Sequence, residues 1–340
     1  MKILIDLINY PHAGGSTYDW RYKIWQGICK ELVKCGHQIW SANHRVKNTG
    51  FKTYKNGVFD YYICLSPYGH EKRTARYKQH RKAGKPVTCY DHGWLPKSIV
   101  VDRKKLFGDS HYYDTIRNLI KECPSRTSVE GLRRSMMKSH LSKRAQPQSD
   151  KIPDVPYIFV PGQVLYDASV VFYSKIGLKE LIQRTLDFAT QHKLHVVYKP
   201  HPGIGDSPAH GKRELERFQK KTLKSHKNFH VVNNSVFNLM QKAVFTSCVN
   251  SGSIIDNIVS LTPVYCCGKS FFSNSGTVVY DPNVERGLTK MLKKDYDAKE
   301  MKLQQLRMLW WLDKYMIQER QPVHKQVELL EMHAGIGLRP

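Results

Sequence analysis

The segment Tyr157–Gln163, with the sequence YIFVPGQ, and the later segment Tyr198–Pro202, with the sequence YKPHP, decide the fold of this chain. Each follows or ends an apolar run, and each carries residues typical of turns. The periodicity of residues 178–191 between them predicts a helix. Strand, helix and strand in this order predict a βαβ unit. Because ligands bind at the carboxyl ends of parallel strands, both turns are expected at one crevice, and a phosphorylated ligand is favoured.

The two turns carry side chains suited to a phosphate. Lys199 and His201 flank Pro200, and in an extended backbone residues two positions apart lie on the same face. The prolines stiffen the backbone that holds this pair. We therefore predict that Gly162, Gln163, Lys199 and His201 bind the phosphorylated ligand. An ordinary loop after a strand is the alternative interpretation of each turn taken singly.

A third turn has the same character. Residues 250–253 read NSGS and precede an apolar segment, 254–260, that is predicted to be helical. Small residues at a helix start offer hydroxyl and N–H groups to an anion. Ser251, Gly252 and Ser253 are therefore predicted to form a second phosphate cradle. The alternative is that Ser251 only caps the helix.

Taken in order, these segments resemble the motifs of the bacterial capsule-polysaccharide synthesis transferases, enzymes that move Kdo from CMP-Kdo. The resemblance covers roughly residues 85–280. The matching segments are YDHGWL at 90–95, IVVD at 99–102, LFGDS at 106–110, VPGQV at 160–164, DASV at 167–170, YKPHP at 198–202, and SGS at 251–253 with Asp256.

Membership would imply an α/β chain of the GT-B type, in which two Rossmann-like parallel-sheet domains face each other across a cleft. The expected order is an acceptor-side domain at 1–146, a proline-containing linker at 147–156, a nucleotide-sugar domain at 157–298, and a helical segment at 299–340 that can return to the first domain. The resemblance places His201 and the 251–253 turn near the ribose and phosphates of the donor. Asp256 stands where the family has glutamate, so the sugar and the nucleotide base, CMP- or UDP-linked, stay open.

One departure from the family bears on the mechanism. The family has two acidic residues before a glycine, whereas this chain has Asp91 and His92 before Gly93. An imidazole suits general-base catalysis better than nucleophilic attack, so inversion or retention stays open. We predict that His92 takes the acceptor proton while Asp91 holds or polarises it. The cationic and hydroxyl groups of the donor site would replace a divalent ion, so neither a metal nor a cofactor besides the donor is expected.

The charge of the chain indicates a polyanionic partner. Its 340 residues include 54 Lys and Arg against 29 Asp and Glu, a formal net charge of +25. Such a field attracts nucleic acid, acidic glycans or an anionic membrane surface. The basic segment 72–85 and the glycine-containing loop 9–19 lie in the expected acceptor domain. The predicted acceptor-binding residues are Gly14, Gly15, Arg73, Arg76 and Arg81.

The sequence also suggests a location. No run of 18 apolar residues is present, the N-terminus lacks the order of a signal peptide, and the eight cysteines form no CxxC pair. A cytoplasmic protein is expected, or one of the host cytoplasm if the source is viral, touching membranes only peripherally.

The reaction expected is transfer of a sugar from a nucleotide donor to a hydroxyl of a glycan or glycolipid. Three alternatives stay open: a phage-type DNA glycosyltransferase acting on hydroxymethylated bases, a nucleotide-sugar 2-epimerase, and a non-catalytic nucleic-acid-binding protein. An epimerase leaves the basic first domain unexplained, and loss of catalysis should erase the Asp91–His92 and Lys199–His201 groupings.

Overall fold

The computed structural model describes residues 1–6, 19–42, 52–54, 56–68, 70–123, 129–140, 142, 146, 149–202 and 211–339. These residues form two compact units. Unit 1 comprises Met1–Tyr112 and Leu312–Pro340, and unit 2 comprises Tyr113–Trp311.

Unit 1 is built on a mostly parallel sheet. Its strands are β1 (Lys2–Ile5), β2 (Gln38–Ser41), β3 (Lys52–Thr53), β4 (Tyr61–Leu65), β5 (Val87–His92), β6 (Ser98–Asp102) and β13 (Ile317–Gln318), and its long helices are α1 (Asp19–Lys34), α2 (Glu71–Lys82) and α12 (Val323–Ala334). The order across the sheet is β13-β6-β5-β4-β1-β2-β3. Strands β6 and β13 are antiparallel to their neighbours, and the other pairings are parallel.

The C-terminal segment of the chain completes unit 1. Ile317 pairs with Ile99 at the edge of the sheet, and α12 packs on α1. Burial of Val327 and Leu330 with Trp25 and Ile28 holds this layer together. The sequence analysis expected this segment to be helical, and α11 (Ala298–Tyr315) and α12 agree; the short strand β13 has no signal in the local sequence.

Unit 2 contains a fully parallel sheet with the strand order β12-β11-β10-β7-β8-β9. The strands are β7 (Tyr157–Pro161), β8 (His195–Lys199), β9 (Phe229–Val231), β10 (Phe245–Cys248), β11 (Val264–Cys266) and β12 (Val279–Tyr280). The helices are α3 (Tyr112–Leu119), α4 (Glu130–Lys138), α5 (Ala168–Tyr173), α6 (Leu178–Gln191), α7 (Lys212–Ser225), α8 (Val236–Lys242), α9 (Ile254–Ser260), α10 (Val284–Lys293) and α11.

The predicted βαβ unit is confirmed as β7–α6–β8. All five residues of β7 are buried, as expected of a central parallel strand covered on both faces. Helix α6 buries a stripe that includes Leu181, Ile182, Leu186 and Ala189 against the sheet. The two mostly parallel sheets with flanking helices confirm the α/β, GT-B-like class.

The division into units differs from the domain limits expected from the sequence. The chain passes from unit 1 to unit 2 after Tyr112, so α4 lies in unit 2, where Arg133 donates to the carbonyl of Val259 at 3.3 Å. The expected linker is partly docked on unit 2 as well. The carboxylate of Asp150 accepts the backbone N–H of Asn233 at 2.6 Å, and its carbonyl accepts the Asn234 side chain at 2.6 Å.

Within the part of the chain that the structure describes, no helix is both long enough and apolar enough to cross a bilayer.

Candidate functional site

The topology of unit 2 marks one place on its sheet. From β7 the chain adds β8 and then β9 on one side, and it later adds β10 and β11 on the other side. The strand order therefore reverses between β7 and β10. In open parallel sheets, ligands bind at the carboxyl ends of the strands where this reversal occurs. The turns after β7, β8 and β10 all lie at this edge, and these are the turns that the sequence analysis singled out.

The turns after β7 and β8 pack directly on each other. The N–H of Gly162 donates to the carbonyl of Lys199 at 2.7 Å. A Cβ atom at position 162 would lie 2.4 Å from the His201 nitrogen and 2.9 Å from the Pro200 carbonyl carbon. Only glycine fits such an approach to backbone atoms, so Gly162 sets the position of the Lys199–His201 segment.

The turns after β7 and β10 are joined by a buried amide network. The Gln163 Nε2 donates to the Asn250 Oδ1 at 2.9 Å and to the Ser169 Oγ at 3.1 Å. Asn250 Nδ2 donates in turn to the carbonyls of Ser169 at 2.6 Å and Lys269 at 3.3 Å. The Gln163 Oε1, although buried, accepts no hydrogen bond from the residues that the structure describes. The Gln163 side chain therefore joins the turns on the two sides of the reversal point, and its binding of the donor nucleotide stays a prediction.

Lys199 is a buried cation at this edge. The residue is only 3% exposed, and its Nζ donates to the Asn233 Oδ1 at 3.3 Å. Burial lowers the pKa of Lys199, and the carboxylates of Asp150 and Asp256 oppose that shift. Asp256 lies in the first turn of α9 and interacts electrostatically with Lys199. The turns after β8 and β10 are therefore close enough for their charges to influence each other. A cation placed among such groups can compensate the charge of a phosphate.

The turn 251–253 is ordered by its own hydroxyl groups. The Ser251 Oγ accepts the Ser253 N–H at 3.3 Å and the Ser253 hydroxyl at 2.9 Å. Ser253, not Ser251, is the N-cap of α9, and its side chain makes no capping hydrogen bond. The contact from the Ser253 N–H to the Ser251 Oγ is nevertheless of the kind that caps a helix start, so both interpretations of Ser251 stay open. Ser251 and Asp256, which stands in the first turn of α9, are both buried.

In unit 1, Asp91 and His92 close strand β5. The backbone N–H of His92 donates to the Asp91 Oδ1 at 2.7 Å. The His92 Nε2 lies 2.6 Å from the Arg21 Nη1 on α1, and the Trp20 ring meets the imidazole edge-on at 6.1 Å. Because a guanidinium group can only donate, Nε2 accepts and the imidazole is neutral with its proton on Nδ1. Arg21 is buried, so this contact is a fixed part of unit 1.

Gly93 allows this strand end to form. Its N–H donates to the Ser98 carbonyl at 2.7 Å, and an added Cβ would lie 2.6 Å from the Ser98 carbonyl carbon. The glycine therefore lets β5 turn tightly into the antiparallel strand β6, which keeps Asp91 and His92 at the sheet edge.

The three arginines predicted to bind the acceptor make hydrogen bonds inside unit 1. The Arg76 Nη2 pairs with Asp6 at 2.6 Å, and Arg73 donates to the carbonyl of Leu65. Arg81 donates to three backbone carbonyls, those of Val87, Arg103 and Lys104. Their acceptor role stays a prediction. Arg81 is exposed despite these hydrogen bonds, as are Lys72, Lys78 and Lys82 of the same helix. Gly14 and Gly15 lie outside the described residues.

No group of three or more potential metal-ligating side chains occurs among the residues that the structure describes. One Asp-Xaa-Asp triplet does occur in the sequence, at Asp295–Asp297, between α10 and α11. The Asp297 Oδ1 accepts the N–H groups of Lys299 and Glu300, each at 2.9 Å, so this carboxylate caps α11.

Comparison with known proteins assigns the chain to a family. The family model described as "Capsule polysaccharide biosynthesis protein" matches residues 138–309, half of the chain, including every turn of the unit 2 site. The chain belongs to this family. The resemblance inferred from the sequence is thereby confirmed. A search of curated proteins found no match.

Two solved structures share the fold of this chain at low identity. The first is "Thermosulfurimonas dismutans KpsC, beta Kdo 2,4 transferase", with 14% identity, 90% of each chain covered and a TM-score of 0.53. The second is the beta Kdo 2,7 transferase of KpsC from the same organism, with 17% identity, 96% of this chain and 98% of that chain covered, and a TM-score of 0.50.

Several site residues escaped the sequence analysis. Arg21 contacts a histidine 71 positions away, and nothing in the local pattern of α1 distinguishes it. Asn233 and Asp150 also escaped it, because they lie 83 positions apart and the local sequence gives no sign of their contact. Asn250 had a usable signal, because it directly follows a strand and opens the NSGS turn.

Proposed function

We propose that the chain is a glycosyltransferase that binds a nucleotide sugar at the carboxyl edge of the unit 2 sheet and passes the sugar to a hydroxyl acceptor. The observation that carries this proposal is the meeting of three turns at the topological reversal point. Gly162 joins the turns after β7 and β8, and Gln163 joins those after β7 and β10. Membership in the capsule polysaccharide biosynthesis family supports a glycan or glycolipid as the acceptor.

In the proposed mechanism, Lys199, His201 and the hydroxyls of Ser251 and Ser253 hold the donor phosphates. The buried Lys199 side chain is pre-placed, so little reorganisation is needed as negative charge develops on the leaving nucleotide. We propose that these groups act without a divalent ion. The buried Gln163 side chain holds the turns after β7 and β10 together, and so positions the groups that bind the donor.

His92 is the proposed base, and its use depends on Arg21. The Nε2 lone pair that would take the acceptor proton accepts from Arg21 in this structure. Proton transfer therefore requires the hydrogen bond from the Arg21 guanidinium to Nε2 to break. The guanidinium can then donate to the acceptor oxygen or to Asp91. Asp91, bonded to the His92 N–H, positions the end of β5.

A donor panel tests the proposal directly. The purified chain is incubated with CMP- and UDP-linked sugars, with and without glycan acceptors, and release of free nucleotide is followed. Slow hydrolysis of one donor, accelerated by an acceptor, is expected. If no nucleotide is released and calorimetry detects no nucleotide binding, the donor site proposed for unit 2 is disproved.

A further inference from the structure

Helix α7 of unit 2 presents a straight row of basic side chains to solvent. Arg213, Arg217, Lys220 and Lys224 are spaced by four, three and four residues, which places them on one helix face. The opposite face contains the buried residues Leu215 and Thr222. At a rise of 1.5 Å per residue, the row is about 16 Å long. All four side chains are exposed.

The acidic residues of α7 do little to neutralise the row. Glu214 is turned to the side of the helix, where it pairs with Lys179 and accepts the Tyr166 hydroxyl. Glu216 lies beside the row, and with Arg213, Arg217 and Lys220 it lines an open depression of about 420 Å³. Further exposed lysines flank the row at positions 212, 221 and 227.

Three exposed apolar side chains lie in residues 166–172, a segment that contacts α7 through Tyr166. Tyr166 is 59% exposed, and on α5 Val171 is 56% and Phe172 is 59% exposed. The Tyr166–Glu214 hydrogen bond joins Tyr166 to α7. Leu165 also packs closely on Gly211, the residue before α7: a Cβ atom there would lie 2.8 Å from the Leu165 Cδ1. Large apolar side chains that are more than half exposed and close together in the sequence are typical of an interaction surface.

We propose that this surface docks unit 2 on an anionic lipid bilayer. The row on α7 would lie along the phosphates of the headgroups, and Tyr166, Val171 and Phe172 would enter the interfacial layer. Basic and apolar groups side by side are the combination that binds peripheral proteins to membranes. A polysaccharide or nucleic acid would use the basic row but offers nothing comparable to Val171 and Phe172. Because the inner face of α7 packs on its own unit, the helix lies on the bilayer and binding is reversible and salt-dependent.

The experiment is vesicle co-sedimentation of the whole chain without donor or acceptor, so it is independent of the proposed transferase activity. Vesicles are of phosphatidylcholine alone or of phosphatidylcholine with phosphatidylglycerol. Binding to the anionic vesicles only is expected. Replacing Arg213, Arg217, Lys220 and Lys224 together by Glu should weaken binding at least tenfold, since each basic group near an anionic surface contributes about 1 kcal/mol.

A matched variant separates this surface from net charge. Lys72→Glu, Lys78→Glu, Lys82→Glu and Lys85→Glu change the same number of exposed side chains and the same net charge in unit 1, and should weaken vesicle binding clearly less than the α7 variant does. A V171S/F172S variant should lose the binding that persists at high salt. Circular dichroism verifies that the variants are folded.

Equal losses in the two charge variants would show that net charge alone drives binding, and would overturn the proposal. The same holds if the V171S/F172S variant binds as wild type does. Tighter binding to an acidic polysaccharide or to duplex DNA than to vesicles, lost in the α7 variant, would assign the row to a polymer instead.

Discussion

The Arg21 guanidinium donates to the Nε2 of His92 across 2.6 Å, so the atom best suited to accept a proton is already engaged. Two roles for His92 follow from this contact. In the first, the imidazole is the base and Arg21 restrains it until the acceptor arrives. In the second, His92 only positions Arg21, and the guanidinium is the group that meets the substrate.

Substituting each partner distinguishes the two roles. If His92 is the base, His92→Ala should lower kcat by roughly 10²- to 10⁴-fold with nucleotide affinity unchanged, and Arg21→Ala should have a smaller effect. His324→Ala, at an exposed position in the same unit, serves as the control and should be silent. If His92→Ala turns over at a near-normal rate and Arg21→Ala is inactive, the guanidinium of Arg21, and not His92, is the group that acts on the substrate. A covalent sugar adduct on Asp91 would instead indicate nucleophilic catalysis by that carboxylate.

Gly162→Ala should damage both stability and donor binding. The new methyl group would meet backbone atoms of Lys199, Pro200 and His201, which cannot move aside as a flexible side chain can. We expect a loss of roughly 1–3 kcal/mol in the free energy of unfolding, measured by urea titration, and a weaker nucleotide complex. Gly131→Ala in α4 is the matched control, because nothing lies within 4 Å of the added Cβ. There Ala should stabilise the helix by about 0.5–1 kcal/mol. Equal effects in both variants would mean that the turn can relax.

The donor turns should account for nucleotide affinity. His201→Ala and Ser251→Ala should each weaken binding of the free nucleotide by about 1–3 kcal/mol, because each removes a hydrogen bond to a charged group. Calorimetric titration with CMP and UDP measures both the loss and the base preference. Unchanged affinity in both variants would leave the two turns with a structural role only.

What the sequence predicted and what it missed have a common physical cause. Strands such as β7 and β8 are buried on both faces, so they appear as continuous apolar runs, and the turns after them are visible as Gly and Pro punctuation. The pattern of apolar and polar residues gives no comparable sign of contacts between segments that are distant in the sequence. Arg76 stands on a helix that appears uniformly basic, yet its partner Asp6 is 70 positions away and buried at the end of β1. The same limit hid Arg21 and the two-residue strand β13.

The Arg76–Asp6 pair makes a prediction about stability. Asp6 is only 1% exposed and also accepts the Tyr62 hydroxyl, so Arg76→Met would leave a buried carboxylate without its cation. We expect a loss of roughly 3 kcal/mol or more in the free energy of unfolding. Lys78→Met on the exposed side of the same helix should change stability by less than about 0.5 kcal/mol. Equal stability of the two variants would contradict the assignment of Arg76 to the core. The acceptor role of α2 is therefore better tested on its exposed residues Lys72, Lys78 and Lys82 than on Arg76.

The stability of unit 1 should depend on pH through His333. Its Nδ1 meets the Tyr112 hydroxyl, and its Nε2 donates to the Tyr315 carbonyl at 2.6 Å. Burial, the main cause, and the nearby His111 lower the pKa of His333 to about 4, while the Tyr315 carbonyl and Asp102 oppose the shift. In the unfolded chain the pKa is about 6.5. Between pH 4 and pH 6.5, the His333 imidazole is therefore mostly protonated in the unfolded state and mostly neutral in the folded state. The stabilisation is fully present above about pH 6.5 and is lost as the pH falls toward 4, by roughly 3 kcal/mol in all.

His333→Gln keeps a donor and an acceptor at this position but removes the titration. The pH slope of its free energy of unfolding between pH 6.5 and 4 should be smaller than that of wild type by about one proton. Urea titrations at several pH values measure both slopes. His80, buried in α2 with a lowered pKa of its own, contributes equally to wild type and variant and so cancels in the comparison. Parallel slopes would show that the folded state protonates His333 as readily as the unfolded chain does, and that the Tyr112–His333–Tyr315 contacts do not hold the imidazole neutral.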